Sequence, residues 1–429
     1  MVATLISFSA LYLSNLTLMA GLGLLGTFLS VRLTVQGYAS QTIGLVMGAY
    51  FLGLIVGSVV CQRLILRVGH IRSFAAFAAV TTSIAMLHGL YLSPLAWAVF
   101  RLLSGVAAIG LTMVIESWLN ECTETHARGR VFSIYLVSTY LGITIGQQFI
   151  NVYEITSDKL FFVAGILLAL SLVPVAVTHS ISPRLPTMER VRFSELFRRS
   201  PVGMLGCLTA GLINGAFYAL GPVFALKIGL TISQVSWFMT AAIFGGLVLQ
   251  WPVGLVSDRF DRTKVLATLG VLLAIVSSGV IMIAHVSYPG FLMGMGLFGG
   301  VIFTIYPVAV ARAHDLFEPG EIIPVSSGLL LAFSIGAAAG PVAASSAMAA
   351  TGTPYGFFGY GIVIGLVYAF VTFYLRRKES VAIIPVEEQV DFVPMKETST
   401  VAMMFDPRTD TEAQQTDGVS EDPFANGDK

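Results

Sequence analysis

The chain has 429 residues, of which 55% are hydrophobic and only 11% charged, and its mean hydropathy is +0.82. Soluble globular chains carry about 25% charged residues, so this composition excludes an ordinary soluble protein and places the chain in lipid. The formal net charge is zero, but 12 of the 24 acidic and only 6 of the 24 basic residues lie from Arg376 onward; the remainder is net basic in short loops, a distribution that excludes a nucleic-acid-binding face.

Twelve apolar runs follow one another, each near the roughly 20 residues that cross a bilayer core. In chain order they cover roughly 4–31, 42–66, 73–92, 94–119, 130–153, 160–178, 202–226, 233–257, 264–286, 289–312, 324–349 and 355–375. The first run has no basic flank and is long enough to span, so a helix is expected there rather than a signal peptide. Cys61, Cys122 and Cys207 are too scattered for a disulfide framework or a metal site. Between the sixth and seventh runs lies a basic linker, 179–201, where Val191, Phe193, Leu196 and Phe197 sit among Arg190, Arg192, Arg198 and Arg199. A short interfacial helix capped by Ser194 and an irregular basic loop both fit so short a piece. The segment 376–429 is polar, acidic and poor in aromatics, and is expected to be a disordered cytoplasmic tail.

Sorting Lys and Arg by alternate loops places seventeen on one side and three (Arg32, Lys159, Lys227) on the other. This bias predicts that the central linker and both termini are cytoplasmic. Short signatures also recur across the linker. Gly26, Arg32, Gly37, Ser40 and Gln41 are echoed by Gly221, Lys227, Gly229, Ser233 and Gln234, the loop 67–72 by 259–264, and Gly142 and Gly146 by Gly336 and Gly340, at offsets of 192 to 195 residues. Helix n thus matches helix n+6 in the same orientation, a parallel repeat. The predicted fold is an all-α membrane protein of twelve transmembrane helices in two pseudo-symmetric six-helix bundles, 1–178 and 202–375.

Polar residues inside the runs are the candidate site. Arg101 is the one Lys or Arg well within a span, about seven residues into the fourth run. A charge there is costly unless it faces water or a partner, so it either serves the site or is a structural arginine bonded to carbonyls or snorkelling outward. Glu116, about 22 Å further along the same helix, cannot pair with it; it either binds a proton or caps the vestibule. Asn15, Gln147, Asn214, Tyr218 and Tyr306 are neutral candidates for substrate contact, each equally capable of a helix-to-helix hydrogen bond. No catalytic constellation, phosphate loop or metal cluster is legible, which disfavours an enzyme or an ATP-driven pump and calls for no cofactor.

The string Gly254-Leu255-Val256-Ser257-Asp258-Arg259-Phe260-Asp261-Arg262-Thr263-Lys264 is similar to the signature loop of the major facilitator superfamily, G-x-x-x-D-R-x-G/D-R-x-K/R, and Arg101-Leu102-Leu103-Ser104-Gly105 resembles its R-x-x-x-G signature. Glu116-Ser117-Trp118-Leu119-Asn120, Gly129-Arg130-Val131-Phe132-Ser133-Ile134-Tyr135 and Gln250-Trp251-Pro252-Val253-Gly254 resemble the YcaD-like bacterial branch. The resemblance covers 1–378 and implies the major facilitator fold, with helices 1, 4, 7 and 10 around a central cavity, so that Asn15, Asn214 and Tyr306 gain the stronger claim. Two departures stand out: Leu66 where the first-half loop should carry Asp, and Gln147 after Gly142 and Gly146 where antiporters carry Pro. The expected gating charges are Asp258, Arg259, Arg262, Arg67 and Arg72. Asp258 is expected to face the positive N-terminal end of helix 5 near Gly129 as a latch between halves; the alternative is a solvated loop whose arginines only set topology.

The function expected from these features is a secondary transporter of a small organic solute by alternating access, coupled to protons, monomeric, and placed in the bacterial inner membrane with lipid and solute as its partners. Alternatives are a multidrug exporter and a non-transporting scaffold or sensor.

Overall fold

A computed structural model describes residues 8–123, 127–177, 193–284, 286–377 and 384–399. In a bilayer each backbone amide must find its partner inside its own segment, which leaves apolar runs of this length only the helix. The long helices are labelled here in chain order: α1 Ser9–Val35, α2 Ser40–Val68, α3 His70–Leu90, α4 Pro94–Glu121, α5 Arg128–Gln148, α6 Lys159–Val177, α7 Pro201–Lys227, α8 Ile232–Arg259, α9 Arg262–Ile283, α10 Tyr288–His314, α11 Ile322–Thr351 and α12 Gly356–Arg377. Eleven of them are long and apolar enough to cross a membrane. The twelfth, α5, has 21 residues, as many as α3, but it is the most polar, ending on Gln147 and Gln148. In α6 the helix is interrupted at Ser171, three residues before Pro174, whose ring removes a backbone donor and crowds the preceding turn. The Ser171 carbonyl at the break accepts from Ser14 Oγ at 2.6 Å.

The repeat is visible in the packing. Within the first half α1 lies against α5, α2 against α4 and α3 against α6; in the second, α7 lies against α11, α8 against α10 and α9 against α12. The halves meet through α1 with α7, α2 with α11, and α5 with α8. Gly37 and Gly229, matched in the repeat, close α1 and α7 with φ of +83° and +93°, the left-handed conformation that glycine adopts without a Cβ penalty.

Lipid supplies no hydrophobic drive between helices, so close backbone approach must hold them. A Cβ on Gly53 or Gly105 would overlap a carbonyl oxygen across the α2–α4 contact, and one on Gly245 or Gly299 would do so across α8–α10. Gly142 and Gly146 bring α5 onto α1, and Gly336 and Gly340 bring α11 onto α7, in the same way.

The halves are fastened at the end away from loops 67–72 and 259–264. There Ser30 Oγ donates to the Ala219 carbonyl at 2.9 Å, Lys227 Nζ to Ser40 Oγ at 2.7 Å, and Gln148 Nε2 to Thr240 Oγ1 at 2.8 Å. Gly44 packs on the Pro341 carbonyl, where a Cβ would lie 2.7 Å from the oxygen. Of the linker, 178–192 lies outside the described residues. The rest forms a short helix, Phe193–Arg199, with Leu196 buried and Phe193 and Phe197 exposed. Arg199 pairs there with Glu321 at 2.7 Å and covers the Phe317 ring, and its hydrogen bond holds the Glu321 carboxyl below the usual range.

Gly299→Ala should cost about 1–3 kcal/mol of stability, because the methyl has to displace a backbone carbonyl, whereas Gly359→Ala, with nothing within 4 Å, should be neutral. Detergent-solubilised thermal unfolding followed by size exclusion reads the difference; equal midpoints would show that α8 and α10 have slack.

Candidate functional site

A cavity lies between the halves, lined by α1, α2, α4, α5, α7, α11 and the segment 396–398. Most of its wall is apolar, with Met19, Leu22, Met47, Phe51, Leu54 and Phe333. Arg101 reaches it from α4. Its side chain is buried, its guanidinium carbon lies 4.3 Å from the centroid of the Tyr50 ring, and its Nε has no hydrogen-bond partner. Among the described residues no carboxylate is within ion-pair reach of it. A cation–π contact stabilises a desolvated cation by roughly 2 kcal/mol, which leaves a guanidinium able to gain much more from an arriving anion.

The other predicted residues divide. Gln147 lines the cavity and holds α5 to α1, accepting from Thr27 Oγ1 at 2.5 Å and donating to the Gly23 carbonyl at 3.4 Å. Asn214 lines it too and donates to Glu397 at 3.3 Å, with its own carbonyl oxygen unpartnered. Tyr218 lines it with an unpartnered hydroxyl. Asn15 and Tyr306 require correction. Asn15 is turned onto α5, donating to Ser138 Oγ at 3.1 Å and Thr139 Oγ1 at 2.8 Å, and Tyr306 is fully buried with its ring 5.2 Å from that of Phe333. Neither lines the cavity, and α10 contributes nothing to its wall. Glu116 is fully buried, accepting from the Tyr135 hydroxyl at 2.7 Å and from Ser399 Oγ.

The gating charges also rearrange. Asp258 does not use the N-terminus of α5 as its partner; its carboxylate takes Arg262 at 2.8 Å and the Phe392 backbone N–H at 2.9 Å. Arg262 is fully buried and also pairs with Asp315, donates to Ser257 Oγ at 3.2 Å and donates to the Val390 carbonyl. Arg259, Arg67 and Arg72 are exposed. Asp261 caps α9. Burial pushes its carboxyl up, but Arg376 at 2.9 Å and the Thr263 N–H at 2.8 Å outweigh that and hold it below the usual carboxylate range.

The expectation of disorder throughout the tail is corrected over 384–399. Met395 is buried, and Lys396 lies 5.4 Å and 5.8 Å from the ring centroids of Tyr140 and Tyr218. Desolvation pulls the Lys396 ammonium down to about 8, with Glu397 beside it acting in the opposite sense. Sequence reasoning missed this segment; its one signal was the apolar set Val390, Phe392, Val393 and Met395 within an otherwise polar tail.

The sequence profile of the Major Facilitator Superfamily matches residues 11–232 and 204–409. An MFS-type transporter, YcaD, from Escherichia fergusonii is 27% identical over 335 residues, covering 77% of this chain and 86% of that protein. Among solved structures, a mutant form of the nucleoside transporter NupG superposes with a TM-score of 0.70 at 12% identity, covering 85% of this chain and 98% of that one. A D-xylose-proton symporter gives 0.68 at 14% identity, covering 90% and 99%.

Arg262→Met should destabilise the protein by about 3–5 kcal/mol, the usual consequence of leaving a buried charge without its partner; here that charge is Asp315, whose side chain is 1% exposed. Adding Asp315→Asn should recover part of the loss in a double-mutant cycle of thermal unfolding. Additive losses would mean that the two side chains do not act as a pair.

Proposed function

This chain belongs to the Major Facilitator Superfamily and is a multi-pass membrane transporter, and on that premise we propose that it carries a small organic anion with an apolar body by alternating access. The observation behind this is Arg101. A guanidinium in the membrane interior is expensive unless it meets a counter-charge, and Arg101 opens into a cavity against the Tyr50 face, with no carboxylate within ion-pair reach among the described residues. The Met, Leu and Phe side chains around it suit the apolar part of such a solute.

The fastening of the halves at one end, with segment 390–399 lying between them at the other, fits one state of a rocking cycle between parallel repeats. The basic loops belong to the end opposite this fastening, so their charge bias favours a cytoplasmic position for it, and a bacterial relative favours the inner membrane. Glu116, buried beneath the cavity and hydrogen-bonded by Tyr135, is the carboxyl to which we assign proton coupling. A multidrug exporter is the second reading, favoured by Met19, Met47 and Phe51 in the wall.

In proteoliposomes offered a panel of aliphatic and aromatic carboxylates, Arg101→Gln should slow initial uptake at least tenfold, while Glu116→Gln should remove the acceleration by a proton gradient and spare exchange. Equal uptake by wild type and Arg101→Gln would remove the anion reading, and transport of cationic dyes by both would favour the exporter.

A further inference from the structure

The segment 390–399 threads between the two halves. Its entrance is zipped by backbone groups: the Val390 N–H donates to Asp315 at 3.1 Å, the Val390 carbonyl accepts from Arg262, and the Phe392 N–H donates to Asp258. The Phe392 ring then packs so closely on Gly254 that a Cβ there would overlap it. Deeper in, the Met395 carbonyl accepts from Gln250 Nε2 at 3.3 Å, and the same Nε2 donates to Tyr140 across the halves at 2.9 Å. Beyond this point the segment bridges. Glu397 takes Asn214 of α7, Ser399 takes Glu116 of α4, and Lys396 sits between the rings of Tyr140 on α5 and Tyr218 on α7.

We propose that residues 390–399 are a built-in plug that fills the route from the basic-loop end into the central cavity and holds the halves apart at that end. Blockage rests on the transport reading above; seating of the segment does not. The chemistry matches the site it enters. An apolar stretch carrying Phe392 and Met395 covers apolar wall, while adjacent Lys396 and Glu397 enter as a neutral pair. Three groups with candidate roles in transport or gating, Asn214, Glu116 and Asp258, are occupied by it. Rocking closed requires the ends of α4, α5, α7 and α8 to converge where the segment lies, so it must leave before the cycle turns.

Seating is read without any solute. Trypsin added to the full chain in detergent should cut after Lys396 at least tenfold more slowly than in the chain carrying Phe392→Asp, which sets a carboxylate against Asp258 and Gly254; mass spectrometry follows that bond alone. A chain ending at residue 383 should bind a labelled peptide of residues 386–399, and the peptide carrying Phe392→Asp should bind at least tenfold more weakly. In proteoliposomes the shortened chain should take up solute several-fold faster than the full chain, with the free peptide restoring the slow rate from the basic-loop side only. Equal cutting of wild type and Phe392→Asp overturns the plug, as does protection together with measurable uptake that is equal in the full and shortened chains. Failure of every solute to move in every form overturns the organic-anion reading alone, because cutting and peptide binding still decide whether the segment is seated.

Discussion

The lipid environment sets the constraint on which everything else depends: a backbone amide without a partner costs several kcal/mol there, and apolar side chains gain no hydrophobic free energy by meeting one another, only what close packing supplies. Helices are therefore obligatory, and what holds them together is steric fit. The paired glycines of α2 and α4, and their equivalents in α8 and α10, let carbonyl oxygens of one helix rest where a Cβ would otherwise sit. Close approach of this kind is rigid along the contact.

Buried charges are costly inside such a body unless they are paired or face a cavity, and pairing separates the buried arginines into two kinds. Arg262 is satisfied by Asp258, Asp315, Ser257 and a tail carbonyl, and it holds the ends of α8, α9 and α10 together. Arg101, equally buried, has an aromatic face and open space. Two buried arginines thus have opposite surroundings: one is surrounded by polar partners and the other borders a cavity.

The two halves share a fold but not its charges. Where α8 and α9 carry Asp258 and Arg262, α2 and α3 carry exposed Leu66 and buried His70, the latter close enough to Glu121 to feel its charge. Where α4 carries Arg101 four residues before Gly105, α10 carries fully buried Met295 four residues before Gly299. Backbone symmetry follows from the spacing of glycines and apolar runs, and that spacing leaves the placement of single charges unconstrained.

The helices, the repeat and the close-packed glycines were legible in the amino-acid order, because each depends on local apolarity, helix length or the absence of a side chain. Arg101 was legible for the same reason, a charge in an apolar run being conspicuous without a partner. What needed the tertiary structure was the direction in which each polar side chain faces. Asn15 and Gln147 look alike in sequence, yet a difference in position around their helices turns one onto Ser138 and Thr139 and the other into the cavity. The partners of Asp258 and the seat of the tail were hidden more deeply. The contacts of the tail join groups more than a hundred residues apart, Phe392 to Asp258 and Ser399 to Glu116, and no local rule of propensity or periodicity reaches that far; only the packing of twelve helices brings those groups within hydrogen-bonding distance.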